Sequence, residues 1–125
     1  MIEEVKIPTI KLLWSDSYKF EEIRKNVKDG GINVPDKPGV YQVIDEDGEI
    51  LHIGRASSLR RRVKQGFVKG KNKHSTRKRM LENGVDLNKL KIQWAITEWP
   101  NCVEEFLHKK FKEKYKKLPK FTKVT

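Results

Sequence analysis

Three side chains capable of acid–base or anion-holding chemistry stand near the middle of the chain: the phenol of Tyr41, the imidazole of His52 and the guanidinium of Arg62. An imidazole changes charge nearer to neutral pH than any other side chain and can serve as donor or base. A guanidinium presents several donors at once to an oxyanion. The surroundings of Arg62 are dense in cations, with Arg60, Arg61, Lys64, Lys69, Lys71, Lys73, Arg77 and Lys78 inside one stretch. Side chains of this kind, clustered this way, are expected to contact phosphates.

Whether the first three groups meet depends on the elements that carry them. Val40 to Ile44 reads as a strand, Asp45-Glu-Asp-Gly48 as a turn and Glu49 to Ile53 as a returning strand, with Asp-Gly between two β-rich runs as the hairpin signal. If Asp47-Gly48 are the central turn residues, Val43 faces His52 and Tyr41 faces Gly54. Tyr41 and His52 are then diagonal neighbours on one side of the sheet, roughly 7–8 Å apart. A four-residue loop keeps this register and a three-residue loop breaks it. Ser57 or Ser58 can cap a helix with Leu59, Val63 and Phe67 on one face, and Arg62 lies one turn beyond Ser58. Phenol, imidazole and guanidinium are expected to converge at one end of the hairpin.

The rest of the chain reads as follows. Residues 1–35 form an N-terminal extension: an apolar stretch from Ile10 to Trp14, then a helix capped by Ser15, Asp16 or Ser17, with Phe20, Ile23 and Val27 at helical spacing and Gly30-Gly31 stopping it. Lys37-Pro38-Gly39 opens the main domain, taken as residues 36–125. Gly66 to His74 reads as a basic loop, and Ser75 as the cap of a short helix ending at Asn83-Gly84. Leu90, Ile92, Trp94 and Ile96 alternate with Lys91, Gln93, Ala95 and Thr97, the pattern of a half-buried strand. Val103, Leu107, Phe111 and Tyr115 recur every four residues in a last helix that should stop before Pro119. The expected fold is a small α+β domain: a three-stranded sheet with flanking helices, plus a helical N-terminal extension.

Composition narrows the partner. Against 17 Asp plus Glu stand 28 Lys plus Arg, a formal net charge of +11. An excess of that size favours a polyanion through counterion release. A thermophile's charged surface usually balances Lys with Glu, and this one does not. The single Cys102 excludes an intrachain disulfide and fits a reducing compartment. There is no run of about 18 apolar residues for a membrane span and no basic-then-apolar leader pattern at Met1 to Val5, so a cytoplasmic location without membrane contact is expected. Cys102, His74 and His108 lack zinc spacing. Trp94 suits core packing better than base stacking, and the Lys-rich last helix suits a solvated face as well as a phosphate track.

Gly39-Val-Tyr41, then His52-Ile-Gly54-Arg55, then Ala56-Ser-Ser-Leu-Arg-Arg-Arg62-Val63 resemble the core of the GIY-YIG nucleases. That superfamily includes the N-terminal domain of the excision-repair nuclease UvrC, homing endonucleases and small stand-alone proteins. The resemblance runs from about Gly39 to Pro119. Val103-Glu104-Glu105-Phe106-Leu107 is similar to the family's hydrophobic-Glu-x-x-Leu pattern, which selects Glu104 as the metal ligand, with Glu105 as the alternative. What the resemblance implies is a DNA endonuclease using one divalent cation, Mg²⁺ or Mn²⁺, held by Glu104. Tyr41 would deprotonate or position the attacking water, Arg62 would hold a phosphate oxygen and Arg55 would assist at the phosphate. His108, one turn after Glu104, could reach the same place. Two residues depart from the family pattern: His52 stands for the tyrosine of the second tripeptide, and Thr122 for a late asparagine. They leave room for the alternative, a nucleic-acid-binding module with weakened or lost turnover. RNA remains a possible polymer, and specificity would come from a protein partner or self-association.

Overall fold

The computed structural model describes residues 3–4, 9–71 and 73–122. Its centre is an antiparallel sheet of four strands in the order β1-β4-β2-β3: β1 Tyr18–Lys19, β2 Gly39–Ile44, β3 Ile50–Ala56 and β4 Lys91–Ile96. The extra strand is β1, a two-residue edge pairing Tyr18 with Ile92. Ser15 extends this edge: its N–H donates to the Trp94 carbonyl at 2.7 Å, and its hydroxyl accepts from the Trp94 N–H at 3.0 Å. The segment expected to be only helical therefore completes the sheet. Its helix, α1, is short (Phe20–Arg24) and begins after Lys19, whose N–H donates to the Glu22 carboxylate at 2.8 Å. Ser15, Asp16 and Ser17 do not cap it, and Val27 lies in a 3-10 turn with its side chain exposed.

The hairpin keeps the expected register where the chemistry needs it. Tyr41 pairs with Gly54 and Val43 with His52. Beyond Val43 the ladder slips by one, pairing Ile44 with Ile50, because the Asp45 carboxylate folds the turn inward by accepting from the N–H groups of Asp47 and Glu49. One face of the sheet, with Tyr41, Val43, Ile92 and Trp94, packs on Phe20, Ile23, Leu59, Val63, Phe67 and Met80. Trp94 is a core residue, stacked on Tyr18 at 5.4 Å. The other face, with Val40 and Ala95, is covered by Val103 of α3, Pro100–Tyr115. That second layer explains why Ala95 is buried, while Ile96 points to the opposite face at the end of β4 and is exposed. Pro100 opens α3 where its missing N–H costs nothing, and Lys116 in the left-handed region ends it.

The basic segment is a π-helix, Arg60–Val68, so Gly66, Phe67 and Val68 belong to a buried helix rather than to the expected loop. The Ser58 hydroxyl accepts from the Arg61 N–H at 3.2 Å, the predicted cap. The next helix, α2 (Ser75–Glu82), is capped by His74 and not by Ser75: the His74 Nδ1 accepts the Arg77 N–H at 3.3 Å. Among the described residues no helix is long and apolar enough to cross a membrane.

Candidate functional site

β2 and β3 deliver the first two groups. Strand periodicity puts Tyr41 and His52 on one face, and the Tyr41 hydroxyl lies 3.3 Å from His52 Nε2. They approach this closely because residue 54 is glycine. A Cβ there would sit 2.7 Å from His52 Nε2 and from the Tyr41 ring carbon and hydroxyl. Gly39 has a matching reason: a Cβ would collide with the Ala95 carbonyl of β4 and come 2.8 Å from Leu59. The two glycines of the motif are thus steric requirements of the site's packing.

Four further elements converge on the pair. Arg62 projects from the π-helix toward Tyr41, Glu104 from the second turn of α3, Thr122 from the segment after α3, and His74 from the start of α2. His52, Arg55, Arg62, Arg79, Glu104, His108 and Thr122 line one small cleft. Glu104 is half-shielded and faces Arg55 at 3.5 Å; Glu105 is exposed, so of the two it is Glu104 that lines the cleft. His108 does reach the cleft, with Nε2 2.9 Å from the Ile53 carbonyl, to which it donates. Thr122 takes a structural place: its hydroxyl accepts from the Ile53 N–H at 3.1 Å and lies 3.2 Å from His52 Nδ1. Arg79 anchors this segment by donating to the Phe121 carbonyl at 2.7 Å.

His74 is the residue the sequence reading left out. Its Nε2 lies 3.1 Å from the Tyr41 hydroxyl, so the phenol sits between two imidazoles. Sequence reading weighed it only as a zinc ligand, without the spacing for one, and gave the cap of this helix to Ser75.

Burial sets the protonation states. Desolvation pushes the Tyr41 phenol up to about 12; the Arg62 guanidinium opposes this by charge and by hydrogen bonding, and the Glu104 carboxylate reinforces it. Desolvation also drives His52 down to about 3, aided by the charges of His74, Arg79 and Arg62 and opposed by a hydrogen bond to the Phe121 backbone. His74 falls to about 4 through burial and the Arg62, Arg77 and Arg79 charges. Both imidazoles are neutral at pH 7. A cation is costly in this dry, basic pocket, which holds His52 well below the usual imidazole range.

The cationic run divides. Arg55, Arg61, Arg62 and Lys73 line an open cleft of about 480 Å³ with Ser57, Ser58 and His74, next to the first one and sharing Arg55 and Arg62 with it. Arg60 and Lys64 turn away and are corrections to the phosphate-contact set. Arg60 donates to the Val34 carbonyl at 3.0 Å and to Asn33 Oδ1 at 3.3 Å. Lys64 is buried, its Nζ donating to the Lys25 carbonyl at 3.0 Å and the Ile32 carbonyl at 3.4 Å. Both tie the N-terminal segment to the π-helix. Arg77 donates to the Phe67 carbonyl at 3.4 Å, and Lys78 faces Glu82 at 4.0 Å; neither lines the clefts, nor do the Lys69 and Lys71 side chains.

Among the described residues no three His, Cys, Asp or Glu side chains cluster as a metal cage. A single carboxylate at a polar cleft fits a hard cation that keeps most of its waters and takes its remaining ligands from a phosphate. Glu104 provides that carboxylate, so the residues present suit Mg²⁺ or Mn²⁺ and not a zinc-type site.

The model of the UvrC-like GIY-YIG domain matches residues 37–116. The UvrABC system protein C of Clostridium botulinum is 35% identical over 102 residues, covering 74% of this chain and 16% of that protein. Shorter matches are to proteins of the same name from Porphyromonas gingivalis, 49% identical over 45 residues (36% of this chain, 7% of that protein), and Nautilia profundicola, 54% over 35 residues (28% and 6%). The chain spans a sixth or less of the length of these relatives.

Proposed function

The chain belongs to the family of UvrC-like GIY-YIG domains, and on that premise we propose that it is a metal-dependent endonuclease hydrolysing phosphodiester bonds in structured, damaged or foreign DNA. The observation that supports this most is the convergence of Tyr41, Arg62 and Glu104 with His52 from four separate elements. A protein that only holds a polyanion has no use for a carboxylate beside the phosphate, because like charges repel unless a cation lies between them.

In this mechanism Arg62 holds a non-bridging oxygen of the scissile phosphate, where negative charge accumulates in the transition state. Arg55 leaves its pairing with Glu104 to assist at the same phosphate. Tyr41 orients the attacking water and takes up its proton as its own phenolic proton passes to Nε2 of neutral His52, which lies 3.3 Å from the hydroxyl. Glu104 would hold one Mg²⁺ or Mn²⁺, which when bound polarises the phosphate and stabilises the leaving 3′ oxygen. Arg61 and Lys73 bind the neighbouring backbone. The exposed free thiol of Cys102 supports a cytoplasmic setting, and a partner or a second copy would supply substrate choice.

The second reading, a binding module without turnover, draws on one observation: Tyr41 has no exposed surface and its hydroxyl is engaged on two sides. A cleavage assay over several DNA and RNA structures, with and without Mg²⁺ or Mn²⁺, separates the two. Glu104→Gln should abolish metal-dependent cleavage while leaving DNA affinity unchanged or slightly higher. Tight binding by the wild type with no cleavage of any substrate would establish the binding module instead.

A further inference from the structure

The partners of His74 determine where its proton lies. Nδ1 accepts the Arg77 N–H at the start of α2, and a backbone N–H can only donate. The lone pair of Nδ1 is therefore committed, and the single proton of the neutral ring must be on Nε2. That nitrogen lies 3.1 Å from the Tyr41 hydroxyl oxygen. The ring cannot easily swivel, because it meets Phe67 edge-on at 5.2 Å and Tyr41 edge-on at 6.4 Å. It is buried, and the cations facing it from the π-helix and α2 (Arg62, Arg77 and Arg79) disfavour a second proton.

We propose that His74 is a positioning residue for Tyr41, donating its Nε2–H to the phenol oxygen so that the phenolic proton is turned away from α2. With one lone pair of the oxygen filled by His74, the hydroxyl proton is left for His52 Nε2 at 3.3 Å or for the reacting groups in the cleft. The donor also opposes the burial that holds the phenol protonated, since an N–H aimed at the oxygen favours its negative form. The cap of α2 thus sets the direction of a hydroxyl on β2, 33 residues earlier in the chain. The catalytic consequence rests on the nuclease reading; the hydrogen bond does not.

Two variants separate capping from donation. Asparagine is a good N-cap but too short to reach Tyr41, whereas glutamine extends an amide N–H to about the position of Nε2 and caps poorly. His74→Asn should melt like the wild type and bind DNA equally well, yet lose roughly tenfold to a hundredfold in kcat with KM unchanged, the scale of a hydrogen bond to a charged group. His74→Gln should recover most of the rate despite lower stability. Equal losses in both variants, or losses that follow stability alone, would overturn the proposal. Nitrogen-15 spectra of the histidine rings provide a readout free of activity. His74 should show an unprotonated Nδ1 and a protonated Nε2, and Tyr41→Phe should shift the Nε2–H resonance. The opposite tautomer, or no shift on removing the hydroxyl, would refute the hydrogen bond even if the protein cleaves DNA. If no substrate is cut, the nuclease reading fails while the spectra still decide this one.

Discussion

Lowering the pH from 7 to 5 should destabilise this protein far more than its carboxylates explain. His52 and His74 bind protons in the unfolded chain at about 6.5 but in the folded one only near 3 and 4, respectively. A depressed folded value means that the folded state binds fewer protons between the two titrations. Stability is therefore fully present above the unfolded value and falls as pH drops toward the folded one. Around His52 stand Tyr41, His74, Arg62 and Arg79, with Thr122 and the Phe121 carbonyl at its outer nitrogen; Glu104 shares the cleft but is paired with Arg55, and burial keeps His52 neutral. At ~1.4 kcal/mol per unit, each histidine should cost about 2 kcal/mol at pH 5 relative to pH 7, or about 4 kcal/mol for the pair. That is a large part of the 5–15 kcal/mol typical of a domain. Urea titrations at pH 7, 6 and 5 measure it, since free carboxylates remain largely ionised over this range. His52→Gln, which removes one titrating group while keeping an amide toward Tyr41, should roughly halve the pH dependence. A wild type equally stable at pH 7 and pH 5 would refute the assignment of two dry, neutral imidazoles.

The same protonation states remove the acid limb from catalysis, so kcat/KM for DNA cleavage should show no loss with an apparent pKa between 6 and 7; a limb there would mean His52 titrates in contact with water. Gly54→Ala should cost about 1–3 kcal/mol in urea unfolding by overpacking and uncouple Tyr41 from His52, because the new Cβ falls 2.7 Å from both rings; an unperturbed variant would mean that the strands yield freely. Lys64→Met should destabilise by about 1–3 kcal/mol through two carbonyls left unpaired yet leave DNA affinity and its salt slope alone. Arg61→Ala should do the reverse, with little change in stability and a log–log salt slope about 0.9 shallower. If Lys64→Met flattened the slope instead, the division of the cationic run would be wrong.

The parts of this site that could be read from the residues are those set by local periodicity. Tyr41 and His52 are joined by a short hairpin, and a count of residues brings them together because the one-residue slip at the turn is absorbed beyond Val43. Glu104 was chosen over Glu105 by a motif and not by periodicity; adjacent helical residues point about 100° apart, and it is the packing of α3 on Val40 and Ala95 that turns Glu104 toward the cleft. Lys64 shows why charge alone misled. A lysine carries its ammonium on a long apolar stem, and in the π-helix that stem turns under the N-terminal segment, where the Lys25 and Ile32 carbonyls take the place of water. Strand β1 has only two residues, too few for any alternation to register, and it exists because β4 offers an open edge. His74 combines these difficulties. It lies 33 residues from Tyr41, across a helix and a loop, and the neighbouring Ser75 is the better cap by residue type, so nothing local pointed to the imidazole. One imidazole performs both tasks because it has two nitrogens on opposite sides of the ring. The cap commits one of them, and the fold then brings a phenol to the other.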